Sequence, residues 1–385
     1  MAGSQLKGAA AIVGTGLAGI GEAPGRTHLE LLGEAVHKAL ADAGLKLSDV
    51  DGLFTSNLVN FFPTLTVGEY LGIHPKYADS TNVGGASFLS HAISAAAALH
   101  AGLCDVALIC YGSNAKSGGG KHVTGAEMPP HEGPYKPRYP VGAYALAAAR
   151  HMHQYGTTRE QLAEVAVAAR RWAQLNPMAY KRGPLSVQDV LESRMICDPL
   201  TVLDCCLVTD GAGAVIMTRG DRAKSFPNKP VYFLGGAAAH WHRQISAMPD
   251  LTVTAATESG KRAYAMAGLA PADVDVVQVY DAFTINTILF LEDLGFCPKG
   301  EGGRFVAEGN IAPGGKLPVN TNGGGLSCVH PGMYGIFTLI ECAEQLRGTA
   351  SDRQVKGAEV ALCHGNGGHL SSQVTVLLGT EGTVH

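Results

Sequence analysis

The chain has 385 residues, of which 46% are hydrophobic and 16% charged, with 50 glycines and a net charge of −4. That length and apolar content give a well-buried chain with room for two half-domains, and they exclude a disordered one. The basic residues are scattered and their longest runs are Arg170-Arg171 and Lys181-Arg182, so no nucleic-acid groove is expected.

The opening residues 1–8 are short and polar and lack the apolar core of a signal peptide. The longest apolar candidate, residues 92–103, is Ala-rich and interrupted by His100, so no membrane span is expected and the chain reads as cytoplasmic. A first strand is predicted at residues 10–14 (AAIVG). The glycines that follow, Gly14, Gly16 and Gly19, form G-x-G-x-x-G, a weak dinucleotide signal without an acidic residue on a clear second strand.

Residues 39–54 (ALADAGLKLSDVDGLF) return without a gap as residues 263–278 (AYAMAGLAPADVDVVQ). Both predict a helix ended by Gly (Gly44, Gly268), a short link and an apolar strand. The repeat continues in order. NVGGAS at 82–87 resembles NGGGLS at 322–327, and helices are predicted at 89–101 and 334–346. Strands of like sequence follow at 105–108 (DVAL) and 359–362 (EVAL), each running into glycines. Similar openings, 10–14 and 231–235 (VYFLG), precede both copies. Such an internal duplication fixes the fold class as α/β: two βαβαβ units with parallel strands buried between helix layers. The predicted halves are residues 1–220 and 221–385. An insertion over about 115–199 holds a Gly/Pro-rich loop and an amphipathic helix at 159–175, placed to cover a substrate site. Residues 209–217 (TDGAGAVIM) return to the sheet.

The nine cysteines form no C-x-x-C pair, and Cys205-Cys206 is expected to be core packing. His151-x-His153 and His240-x-His242 have strand-ligand spacing but no neighbouring carboxylate cluster, so no metal site is expected.

The layout and several motifs resemble the thiolase superfamily over essentially the whole chain, in particular its sterol-carrier-protein-type members. Residues 320–331 (NTNGGGLSCVHP) resemble the N-x-N-G-G…G-H-P segment, with Val329 in place of the last Gly. CHGNGG at 363–368 resembles the C-x-G-G-G loop, and YDAF at 280–283 stands where the family has N-E-A-F. The resemblance implies a five-layered α-β-α-β-α core, a homodimer or tetramer, and an acyl-CoA substrate with no further cofactor. It implies that His330 and Cys363 handle protons near the thioester and that backbone N–H groups near Gly85 and Gly365 hold its oxygen. Ser87, Asp281 and Asn322 are further candidate substrate contacts.

Two departures bear on the chemistry. The position of the family's acyl-accepting cysteine, counted back from Gly102, falls on Gly85. Tyr280 replaces the Asn or His that pairs with the G-H-P histidine, and it brings a phenol able to donate or shuttle a proton. Together they resemble the thiolase-like aldolases that shorten steroid side chains, which need no acyl-enzyme and work with a small zinc-ribbon/OB-fold partner protein. Those enzymes carry a second Tyr where this chain has His330. Three readings stand: C–C bond chemistry beside a CoA thioester without a Cys nucleophile, of retro-aldol or Claisen type; acetyl-CoA acetyltransfer through Cys363; and a non-catalytic acyl-CoA-binding subunit.

Overall fold

The computed structural model describes residues 5–119 and 130–384; residues 120–129 of the expected Gly/Pro-rich loop lie outside them. The sheet strands of the first half are β1 (Ala10–Gly21), β2 (Gly52–Thr55), β3 (Tyr77–Asp79) and β4 (Val106–Ser113). After a small ribbon, β5 (Met195–Cys197) with β6 (Leu200–Thr201), comes β7 (Asp210–Arg219). The second half holds β8 (Val231–His240), β9 (Val276–Val279), β10 (Val360–Gly367) and β11 (Ser372–Gly379). The helices are α1 (His28–Ala43), α2 (Pro63–Leu71), α3 (Ser87–His100), α4 (Val141–Tyr155) and α5 (Arg159–Gln174), then α6 (Val187–Glu192), α7 (Ala256–Ala267), α8 (Thr284–Asp293), α9 (Gly302–Ala307) and α10 (Gly335–Arg347).

The nine longer-range strands run in the order β3-β2-β4-β7-β1-β8-β11-β10-β9. The halves meet at two residue pairs of β1 and β8, Ala11 with Tyr232 and Ile12 with Val231. Helices α3 and α10 lie between the halves, since each packs on strands of both. Helix α1 covers the outer face of the first half and α7 that of the second, which completes the five layers.

The expectation of parallel strands needs correction. Only β2 with β3, β2 with β4, and β9 with β10 are parallel. β4 with β7, β7 with β1, β8 with β11 and β10 with β11 are antiparallel. Continuous apolar runs report burial on both faces, and burial carries no strand direction.

The repeated residues do the same work twice. Gly44 and Gly268 end α1 and α7, each with φ of 68°, a conformation glycine adopts without Cβ strain. Asp49 and Asp273 accept the N–H of Lys46 and Ala270 at a short 3₁₀ turn. Asp51 accepts the N–H groups of Asp105 and Val106 at the head of β4, both at 2.8 Å. Asp275 does the same for Glu359 and Val360 at β10, at 2.8 and 2.9 Å. The D-V-D motif is a turn cap followed by a strand latch, which is why both aspartates recur.

The glycines after the first strand serve packing. A Cβ on Gly14 would lie 2.3 Å from the Ala39 oxygen and one on Gly16 2.2 Å from that of Ala35, so they let β1 lie directly on α1. In the insertion, α5 opens with Thr158 and Gln161 capping each other's backbone. The sequence reading did not resolve α4 as a separate helix. Among the described residues, no helix is long and apolar enough to cross a membrane.

Candidate active site

A cavity of about 630 Å³ opens where α3, the end of β9, the segment before α10 and the loop between β10 and β11 converge. Its wall includes Gly85, Tyr144, Cys206, Tyr280, His330 and His369. Gly-rich loops of the two halves meet there backbone to backbone. A Cβ on Gly84 would lie 2.9 Å from Gly367 Cα, and one on Gly367 would lie 1.7 Å from the Val83 oxygen.

Tyr280 leaves the end of β9 with its N–H bonded to the His364 oxygen at 3.0 Å. Its phenol oxygen accepts the Tyr334 N–H at 3.2 Å and donates to the Gly332 oxygen at 3.4 Å. Burial pushes the phenol well above its ordinary value, so it is protonated at rest. The ring lies against Gly85. A Cβ there would sit 2.2 Å from Tyr280 Cε2 and 2.5 Å from Cζ and the hydroxyl oxygen. The phenol fills the space that any side chain at position 85 would need.

His330 packs edge-on to Tyr280, ring centres 5.5 Å apart at 86°. Its backbone is fixed by its N–H to Thr209 Oγ1 at 3.0 Å. Both ring nitrogens are buried without a hydrogen-bond partner among the described residues. Burial depresses the imidazole to about 4, which leaves it neutral near pH 7. A neutral imidazole with two unsatisfied nitrogens in a cavity wall is incomplete without a ligand or water.

The residues behind this pair set its position. The glycines at 323–325 form a tight π turn, Gly324–Cys328, with Gly323 at φ 102° and Gly324 at φ 64°. The Asp281 carboxyl accepts the N–H of Gly325 at 2.6 Å and of Leu326 at 3.3 Å. Burial raises Asp281 to about 7 against the pull of those N–H groups. Asn322 Oδ1 accepts from Gly324 N–H at 2.7 Å and from the Tyr334 hydroxyl at 3.0 Å. Asp281 and Asn322 thus hold the turn that presents His330, and neither is on the cavity wall. Ser87 Oγ accepts the Val83 N–H at 2.9 Å and donates to the Gly84 oxygen at 2.6 Å. Its hydroxyl is engaged by the loop that leads into α3, and it is not on the cavity wall.

Cys363 also departs from expectation. On β10 its Sγ points to the Val376 oxygen, 3.5 Å away, and to Cys342 of α10. The next residue, His364, faces the other way and is spent on Thr375 Oγ1 and Gln373 Oε1. Strand alternation buries both, and neither reaches the cavity. Gly365 lies deeper still. A Cβ there would meet Ala86 Cα at 2.9 Å, so it is a close-packing residue and off the wall. The loop meets the wall through Asn366, Gly367, Gly368 and His369, with Asn366 held by the Tyr144 hydroxyl and Gln373 at 2.8 Å each.

Three wall features escaped the sequence reading. Tyr144 comes from α4. Cys206 sits in a run that reads as core. His240, His242 and His369 form a polar side of the cavity, with His242 Nε2 3.1 Å from the His369 oxygen. Among the described residues no group of three or more His, Cys, Asp or Glu is arranged to hold a metal ion.

Residues 237–380 match the family described as Thiolase C-terminal domain-like. The chain is 35% identical over 380 residues to 17-hydroxy-3-oxo-4-pregnene-20-carboxyl-CoA lyase of Mycobacterium tuberculosis, covering 93% of this chain and 96% of the relative. This chain belongs to the thiolase superfamily. It is also 33% identical over 392 residues to a steroid side-chain-cleaving aldolase of Thermomonospora curvata, covering 94% of this chain and 97% of that one. Among solved structures it matches an Ltp2-ChsH2(DUF35) aldolase with TM-score 0.90 and 32% identity, covering 98% of this chain and 99% of the other.

Proposed function

We propose that this enzyme cleaves a β-hydroxyacyl-CoA by a retro-aldol reaction, releasing a ketone and a shortened acyl-CoA, with no covalent acyl-enzyme. The observation that carries the reading is the Tyr280 phenol lying within 2.2–2.5 Å of where a side chain at position 85 would begin. A nucleophile there and this phenol exclude one another. Cys363, the other candidate thiol, faces away from the cavity, which weighs against acetyl transfer through it.

In this scheme neutral His330 accepts the β-hydroxyl proton as the Cα–Cβ bond breaks. The electron pair of that bond becomes an enolate on the thioester. The protonated Tyr280 hydroxyl is a donor for the enolate oxygen, where charge develops in a dry site. Asp281 and Asn322 keep the His330 turn in place. The names of the two relatives support a steroid side chain as the acyl group. Acetyl-CoA acetyltransferases are also among the relatives, one of them 31% identical over 397 residues, yet the transferase reading needs a cavity thiol in the nucleophile position.

The Ltp2-ChsH2(DUF35) match supports a small second protein as partner. A second copy of the chain is also part of the reading. Strand β3 is an edge of the sheet, and the segment before α2 exposes Phe61 (89%) and Phe62 (60%). The nine unpaired cysteines suit a reducing, cytoplasmic setting.

The test is chromatography of a steroidal β-hydroxyacyl-CoA incubated with the enzyme, alone and with a co-expressed DUF35-type partner. Release of ketone and acyl-CoA in equal amounts, lost in Tyr280→Phe, supports the reading. Intact substrate in both preparations overturns it.

A further inference from the structure

We propose that Cys206 is the acid that delivers a proton to the α-carbon of the enolate. The inference rests on the retro-aldol reading for the origin of that enolate. Cleavage requires two proton movements, one off the β-hydroxyl and one onto the α-carbon. His330 and Tyr280 account for the hydroxyl proton and the enolate oxygen, and the carbon is left without a donor.

Cys206 stands where such a donor is needed. Cys205 pairs with Phe283 across a short antiparallel bridge, and the Cys206 N–H donates to the Ala282 oxygen at 2.8 Å. This pins the segment beside the residues that follow Tyr280. Alternation sends the Cys205 thiol back to the Thr201 oxygen at 3.2 Å and leaves Cys206 on the cavity wall with Tyr280, Ala282 and His330. All nine cysteines are unpaired, and Cys206 is the one on that wall. The second observation is His330 itself, buried in the same wall with both ring nitrogens unpartnered among the described residues. Cys206 is partly open to the cavity, yet deep burial, with Cys205 and Asp281 nearby, raises its thiol well above the ordinary value. It therefore holds its proton at neutral pH, the state an acid needs.

The step balances without a co-reactant. The enolate's electron pair forms the new Cα–H bond with the proton of the Cys206 S–H bond, leaving a thiolate. That thiolate recovers a proton from the His330 imidazolium, which received it from the β-hydroxyl. One thioester becomes one ketone and one acyl-CoA, and the enzyme returns to its starting state. Run backwards on the product alone, the thiolate–imidazolium pair removes an α-hydrogen, so the enzyme exchanges α-hydrogens of a simple acyl-CoA with solvent.

The experiment follows deuterium entering the α-position of propionyl-CoA in D₂O, a reaction that breaks no C–C bond. The parent enzyme is expected to exchange, Cys206→Ala to exchange about 100-fold more slowly, and Cys363→Ala to match the parent. Propionyl-CoA affinity should stay within about threefold in Cys206→Ala, since only a thiol is removed. In the unmutated protein, bromoacetyl-CoA should alkylate Cys206 ahead of the other cysteines, as located by peptide mass, whether or not the variant folds. Exchange in Cys206→Ala close to the parent rate, absence of exchange in the parent, or alkylation elsewhere with Cys206 untouched overturns the proposal. A parent that exchanges through Cys206 but cleaves no β-hydroxyacyl-CoA removes the retro-aldol reading and leaves this role in place.

Discussion

Replacing Gly85 with Ala tests the steric exclusion at the centre of the site. The added methyl would begin 2.2 Å from Tyr280 Cε2 and 2.5 Å from Cζ and the hydroxyl oxygen. Carbon contacts need about 3.5 Å or more, so the ring must move by roughly 1 Å. It resists, because its oxygen is bonded to Tyr334 N–H and the Gly332 oxygen and its ring packs at right angles to those of His330 and Tyr334. Gly85 does not have a positive φ, so the cost is contact and not backbone strain. We expect Gly85→Ala to destabilise by about 1–3 kcal/mol through overpacking. A misplaced phenol should also lower turnover by roughly 100-fold. In a Tyr280→Ala background the methyl has room, so the same substitution should cost about 0.5 kcal/mol or less, within the limits of additivity. Urea unfolding of the four proteins closes the cycle. Additive effects, or a Gly85→Ala enzyme of parental stability and turnover, would refute the exclusion.

Other outcomes follow from the same geometry. Tyr280→Phe keeps the ring but removes the hydroxyl, and turnover should fall by about 10²–10⁴-fold with the fold intact by circular dichroism. His330, at about 4, should keep activity level from pH 8 to near 5 and let it fall as the imidazole protonates; a fall centred near pH 6.5 would show an ordinary, solvated histidine. Buried His91, His330 and His364 all lie at about 4. Because the unfolded chain takes up their protons first, the histidines' own contribution should be full above about pH 6.5, decline as pH drops toward 4, and level off below that. Asp281 and Glu344, each raised to about 7 by burial, take up protons first in the folded chain and oppose the decline; denaturant midpoints of the parent and of Asp281→Asn across this range check both signs. Asp51→Ala and Asp275→Ala each orphan two N–H groups and should each cost on the order of 1–3 kcal/mol. A large inequality in their unfolding midpoints would contradict the equivalence of the two copies.

The duplication was legible because its physical causes are local. A left-handed cap at Gly44 and Gly268 and a strand latch at Asp51 and Asp275 leave fixed letters at fixed spacing. Strand direction was not legible, since burial on both faces gives the same apolar run either way. At the site, Gly85, Tyr280 and His330 share one wall, and each lies in a motif that the sequence displays. Cys363 shows where a motif fails: one residue of strand alternation decides whether a side chain meets substrate or core, and a matched letter does not record that. Cys206 shows the converse, since its run reads as core and only the tertiary bridge to the residues after Tyr280 brings it to the cavity. Tyr144 and the histidines at 240, 242 and 369 reach the wall from segments far apart in sequence, with no spacing to signal it.

The central claim is C–C cleavage without an acyl-enzyme, and intact-protein mass spectrometry during turnover tests it most directly. Samples quenched while a β-hydroxyacyl-CoA is being consumed should show the unmodified protein mass as ketone accumulates. An acyl adduct that forms and decays at the rate of turnover would contradict the account and return the chain to acyl transfer through a cysteine.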